Sequence, residues 1–200
     1  AGYEIAVGGI RDGFPSVMVD GSSLPYEENV ALTKSVTEVG RVFGVDIEAE
    51  LGHVGDGSNE ADFVGSDMYT DVSQAVEFVE RTGCGSLAIA VGNAHGPYVR
   101  TPNLDMQRIK DIRAALDIPL VLHGCSDIPE EQLQETVVLG MSKFNIATEY
   151  FRAMYASIAK NVEAGGFNED AFGLMRAAGE DMTEFVASKI RLLNPNGFSL

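Results

Sequence analysis

Short apolar runs alternate along the chain with longer stretches in which apolar residues recur every three or four positions. Residues 16–20 (SVMVD) form a β-branched run between a Phe-Pro and a Gly-Ser-Ser. Behind Pro25 and two glutamates suited to a first turn, Leu32, Val36, Val39 and Phe43 fall at helical spacing. Residues 45–51 (VDIEAEL) predict the next strand, and a stretch rich in Gly, Asp, Ser and Asn, 52–68, predicts a long loop. Thr70 or Asp71 is placed to cap a helix with Val72, Ala75, Val76 and Val79 on one face. Residues 87–91 read as a nearly all-apolar strand, Ile109, Ile112 and Leu116 mark a helix, and 119–122 is a strand. Pro129 opens a helix through Leu133 and Val137, and 143–147 is a further strand. Two helices follow, one striped by Phe151, Met154, Tyr155, Ile158 and Val162, the other running from about residue 171 to 193. Five strands, each followed by a helix and apolar throughout, predict a parallel α/β chain.

The polar residues narrow the architecture. Asp20, Glu50, His95, His123, and Asn145 with Thr148 each lie at or just past the C-terminal end of a predicted strand. In a parallel sheet those ends share one rim, which in a (β/α)8 barrel carries the chemistry. A doubly wound sheet would place a site in one or two loops at a switch point. Polar ends on all five strands favour the barrel, although five strands cannot close one.

Composition agrees with one globular domain spanning residues 1–200. Apolar residues make up 45% and charged residues 22%. No apolar run approaches the roughly 20 residues needed to cross a bilayer, and no secretion signal opens the chain. The expectation is a soluble, cytoplasmic protein with Cys84 and Cys125 reduced. Thirty acidic residues against 14 Lys plus Arg give a formal charge of −16, which argues against nucleic-acid and anionic-membrane partners. The chain opens Ala1-Gly2-Tyr3-Glu4-Ile5 without Met, so the terminus is processed or the sequence begins inside a domain.

Each candidate group has a plain structural alternative. His95 (GNAHG) and His123 (LVLHGCS) share a setting, a strand end followed by His-Gly, that suits zinc ligation; each alone could be a hydrogen-bonded histidine at the core edge. Two ligands leave a catalytic zinc site incomplete, since three is usual. Glu48 and Glu50 point the same way by strand periodicity, and Glu50 could bind a metal or orient a ligand; an ion-paired strand end is the alternative. Asp20 could equally cap the next helix. Gly124, Cys125 and Ser126, with Asn145, Ile146, Ala147 and Thr148, offer N–H groups and hydroxyls near a helix start, as phosphate sites do and as ordinary turns also do. In the 52–68 loop, which holds His53, Asp56, Glu60, Asp62 and Asp67, Glu60 is the chosen acid or base if the loop acts as a lid. A merely solvated acidic loop fits as well.

VMVDGSSLPYEENVALTKSV, DIEAELGHVG, FVERTGCGSLAIAVGNAHG, IPLVLHGCSDIP and KFNIATE, in this order across nearly the whole chain, resemble the zinc-dependent class II ketose-bisphosphate aldolases, nearest the fructose- and tagatose-bisphosphate type. The resemblance implies a (β/α)8 TIM barrel and reversible retro-aldol cleavage of a ketose phosphate or bisphosphate to dihydroxyacetone phosphate and an aldehyde. Zn2+ would stabilise the enediolate, and a monovalent cation is a further cofactor candidate. By position His95 and His123 match two of three zinc ligands, and Asp20 and Glu50 the carboxylates of an alternate or second metal position. Gly96, Gly124, Cys125, Ser126, Asn145, Ile146, Ala147 and Thr148 match the phosphate and dihydroxyacetone contacts, and Glu60 is the nearest match to the mobile-loop acid. The partners implied are a phosphorylated sugar and a second copy in a homodimer or homotetramer, in some relatives with a helper subunit.

Two departures matter. The family's catalytic Asp and first zinc-ligand His form a pair just before the segment matching residues 1–5, which implies that these 200 residues hold about the last five strands of the barrel and lack three. Where many relatives carry Asp-Pro-Arg, whose Arg holds the aldehyde-side phosphate, this chain has Asp170-Ala171-Phe172, which implies an unphosphorylated or differently charged aldehyde. Two rival readings stand beside the aldolase: a non-catalytic barrel subunit or fragment acting in assembly or sugar-phosphate binding, and a metal-dependent hydrolase on the same fold.

Overall fold

In the computed structural model, which describes residues 2–60, 68–166, 171–195 and 197, helix α1 (Tyr3–Arg11) leads into strand β1 (Ser16–Val19). There follow α2 (Tyr26–Phe43), β2 (Asp46–Leu51), β3 (Gly55–Asp56), α3 (Val72–Thr82), β4 (Ser86–Ile89) and β5 (Ala94–His95). The chain continues through α4 (Met106–Ala115), β6 (Leu120–Leu122), α5 (Glu130–Val138), β7 (Met141–Phe144), α6 (Thr148–Asn161), a π-type turn at Val162–Gly166, and α7 (Ala171–Leu192).

Five parallel strands lie side by side in the order β1-β2-β4-β6-β7. Each step to the next strand crosses a helix. The order follows the chain and never reverses, so there is no switch point of the doubly wound kind. This is the arrangement of successive βα units around a barrel arc. Among the described residues β1 and β7 each have one edge without a strand neighbour.

Local chemistry sets the element ends. Asp71, in extended backbone, accepts a hydrogen bond from the Gln74 N–H and starts α3, and left-handed Gly44 and Gly83 stop α2 and α3. Thr70 is drawn elsewhere: its hydroxyl donates to the Leu51 carbonyl and accepts from the Ala90 N–H, tying together the ends of β2 and β4. Between sheet and helices, Leu87, Ile89, Leu120, Leu122, Ile109 and Phe78 are wholly buried. Each such side chain contributes about 1.5–3 kcal/mol by leaving water. A smaller cluster joins Ala6 and Ile10 of α1 to Val19, Val36 and Ile47.

Two sequence expectations shift. The 52–68 stretch is not all loop: β3 pairs in parallel with β5, placing Asp56 opposite His95. Two residues carry no periodicity, so the pattern could not disclose them. Strand β7 ends at Phe144, earlier than predicted. Beyond it the Asn145 N–H donates to the Leu122 carbonyl and its own carbonyl accepts from the Cys125 N–H, which turns the chain toward α6. Asp62, Asp67 and Asp170 lie outside the described residues. Among those described, no helix is long and apolar enough to cross a membrane.

Candidate functional site

The C-terminal strand ends converge as the polar pattern predicts. Asp20 after β1, Glu50 in β2, His95 in β5, His123 after β6, and Asn145 with Thr148 after β7 all line one cavity of about 390 Å³. Gly96, Gly124, Ser126 and Ala147 complete the predicted residues on its wall.

His123 is its most constrained member. Its side chain is 5% exposed and lies between two buried carboxylates, with Nδ1 2.8 Å from Glu50 Oε2 and Nε2 3.0 Å from Glu48 Oε1. The even spacing of Glu48 and Glu50 along β2 is what lets both reach one ring. Lys143 Nζ donates to the other Glu48 oxygen at 2.6 Å. Burial alone would lower the His123 pKa, but the bonds to Glu48 and Glu50 outweigh it and lift it to about 9. Burial works to raise the Glu48 pKa, and the bonds from His123 and Lys143 overcome it, leaving that carboxyl below its ordinary value.

The His95 segment is fastened to the His123 segment. Asn93 Nδ2 donates to the His123 carbonyl at 2.9 Å. The Tyr98 hydroxyl accepts from the Ala94 N–H at 2.7 Å and donates to the Gly124 carbonyl at 2.9 Å. Gly124, at φ 61°, lies so close to the Ala94 carbonyl that a Cβ would collide with it. The outcome is two imidazole rings with centroids 5.8 Å apart and planes tilted by 40°, His123 buried and His95 exposed.

The opposite wall is the start of α6. Ala147 precedes the helix without a side-chain cap, and the Ser126 hydroxyl accepts from the Glu149 N–H at 3.2 Å. Below it the Asp127 N–H donates to Glu149 Oε1, while Arg152 forks onto the Asp127 carboxylate at 3.0 and 2.7 Å. A helix start framed by Ser126, Asn145 and Thr148 suits an anion.

Not every candidate reaches the cavity. The Cys125 side chain is buried in the core, its thiol donating to the Leu122 carbonyl, and its N–H is engaged by Asn145. The side chain of Ile146 lines a separate apolar cavity beside Phe144, Tyr150 and Phe185. Glu60 is exposed beyond β3, and Phe172 is 88% exposed on α7. Asp20 is on the cavity wall while its Oδ1 accepts from the Ser22 N–H and hydroxyl, so it shapes the turn before α2 as well. Sequence reading passed over Lys143, Asn93 and Tyr98. A lysine inside a strand was the available signal for the first, since a charge there needs a partner.

The donor set supports metal binding only in part. His95, His123, Asp20 and Glu50 share the cavity, and imidazole with carboxylate is a zinc-type set. Among the described residues, however, no three His, Cys, Asp or Glu stand grouped to hold a metal ion, and Glu48 and Glu50 occupy both His123 nitrogens.

Comparison with known proteins places this geometry. The family model described as fructose-bisphosphate aldolase class-II matches residues 2–198. A curated Escherichia coli K12 protein, the uncharacterized protein YdjI, is 38% identical over 185 residues, 92% of this chain and 65% of its own length. The chain thus spans about two thirds of that relative. The crystal structure of the YdjI aldolase from the same organism superposes with a TM-score of 0.84 at 36% identity, covering 98% of this chain and 67% of that one. The fructose-bisphosphate aldolase of Campylobacter jejuni, at 22% identity, shares the fold with a TM-score of 0.75, over 96% of this chain and 65% of its own.

Proposed function

This chain belongs to the class II fructose-bisphosphate aldolase family, and on that premise we propose that it forms most of the catalytic rim of an enzyme that reversibly cleaves a ketose phosphate or bisphosphate to dihydroxyacetone phosphate and an aldehyde. The observation that carries the reading is the meeting of His95, His123 and the start of α6 on one cavity at the strand C-termini.

His95 and His123 are the residues that would hold zinc. Bound there, zinc supplies the Lewis acidity that eases charge build-up on the substrate's ketone oxygen. Ser126, Asn145, Thr148 and the α6 N-terminus bind the phosphate, a local field that offsets the net charge of −16. Gly96 and Gly124 contribute backbone to the same wall, and Gly124 must lack a side chain because a Cβ there would strike the Ala94 carbonyl. Asp20 and Glu50 serve an alternate metal position or orient the substrate, and Glu60 is the candidate to move a proton from the loop beyond β3. The third zinc ligand and the base belong, on this proposal, to an Asp-His pair on further strands outside these 200 residues, which also cover the edges of β1 and β7. The lack of an Arg at 170–172 points to an aldehyde that is unphosphorylated or differently charged. A cytoplasmic homo-oligomer is the expected setting.

His95→Ala in the full-length protein tests this. His95 is exposed, so the fold should survive, while zinc content and cleavage should both fall to background. Unchanged zinc and cleavage would overturn the metal assignment. A second reading, a non-catalytic barrel subunit or fragment acting in assembly or sugar-phosphate binding, draws on the chain's spanning only 65% of the length of its curated relative. Intact mass with metal analysis separates the two: 21.4 kDa without zinc supports the subunit, and a larger chain with stoichiometric zinc supports the enzyme.

A further inference from the structure

Glu50 and Glu48 hold the two nitrogens of His123 from different sides. Glu50 lines the rim cavity, whereas Glu48 and Lys143 line a second cavity of about 590 Å³ nearer the strand N-termini. A molecule entering from the rim therefore meets the Nδ1 side of the ring, where only Glu50 needs to move. Nε2 stays committed to Glu48, and Glu48 to Lys143.

Lys143 occupies this position because β7 is irregular. Leu120 pairs with Met141, but the next residue, Val121, pairs with Lys143, leaving Ser142 as an extra residue. Val121 lines the second cavity, whereas Leu120 and Leu122 belong to the core beneath the helices. In regular register Lys143 would pair with Leu122 and share its core-facing side. The bulge turns the lysine onto the face of Val121 and Glu48, a use to which such irregularities are often put.

We propose that Lys143, acting through Glu48, is a positioning residue that fixes the His123 ring with Nδ1 toward the rim cavity. Its half-exposed ammonium compensates a carboxylate that is 5% exposed, and the carboxylate holds the imidazole at Nε2. Carboxylate partners of this kind orient a ligating histidine and raise its basicity, and losing them typically weakens metal binding by about 10–100-fold. This inference rests on the aldolase reading above.

The test is zinc competition against a chromophoric chelator, on full-length wild type, Lys143→Met, Lys143→Arg and Glu48→Gln, with melting temperatures of the metal-free proteins alongside. Lys143→Met and Glu48→Gln should raise the zinc dissociation constant by about 10–100-fold, and Lys143→Arg should restore most of it. If Lys143→Met does not fold, Glu48→Gln, which keeps the side-chain shape, decides by the same titration. Lower melting temperatures with the zinc constant within about threefold of wild type would mean a structural pair only, and would overturn the proposal. Failure of the wild type to take up zinc would overturn the aldolase reading instead.

Discussion

Two clusters in this molecule share one plan, a cation between two carboxylates, and differ in where they stand. On the surface Arg81 of α3 bonds Glu27 of α2 at 2.9 Å and Glu77 of its own helix at 2.8 Å, with side chains 36–71% exposed. At the rim His123 lies between Glu48 and Glu50 at 3.0 and 2.8 Å, with side chains 3–5% exposed. In water the first arrangement gains little, because solvent screens the charges and ordering two long side chains has an entropic cost. The second is held in a low-dielectric setting, where each charge depends on its partners and an unpaired one is expensive. Proteins often keep such groups where chemistry needs them, which is why the proposed site is built on the buried cluster and not on the surface one.

The comparison breaks most visibly at His123. Replacing it with Ala leaves Glu48 and Glu50 facing one another in the interior, and should cost about 3–5 kcal/mol in chemical denaturation besides removing zinc uptake. A loss below 1 kcal/mol would mean that the cluster is open to water.

Next comes pH. The His123 pKa is raised to about 9 in the metal-free fold from an ordinary 6.5, so its contribution is fully present below 6.5 and is lost as pH rises through 9. Metal-free protein should therefore lose melting temperature between pH 6.5 and 9, and Glu48→Gln should flatten that decline. A flat wild-type profile would show that the imidazole folds neutral.

Smallest is the surface cluster. Arg81→Ala should move the melting temperature by less than about 2 °C, and by less still at high salt. A larger loss would mean that the α2–α3 contact depends on this ion pair.

Much of this was legible in the chain. The βα alternation and the polar residues closing each strand anticipated the parallel arc and the meeting of Asp20, Glu50, His95, His123 and Asn145. Glu48 and Glu50 were legible as a same-side pair, because strand periodicity is a local property. The reach of Lys143 to Glu48 was not, since they are 95 residues apart and one extra residue in β7 decides which face the lysine takes. Cys125 and Ile146 show the same limit, for a motif names residues but not which of them turn into the core.

The sequence by itself determined the class of fold, the strands that carry polar ends and the family, because periodicity and motif order are written along the chain. Only the tertiary structure decided that both nitrogens of His123 are held by carboxylates, that Tyr98 and Asn93 bind the two histidine segments together, and that a bulge aims Lys143. Those are contacts between residues distant along the chain. Their energies depend on burial and on ångström-scale separation, and neither quantity exists until the chain has folded.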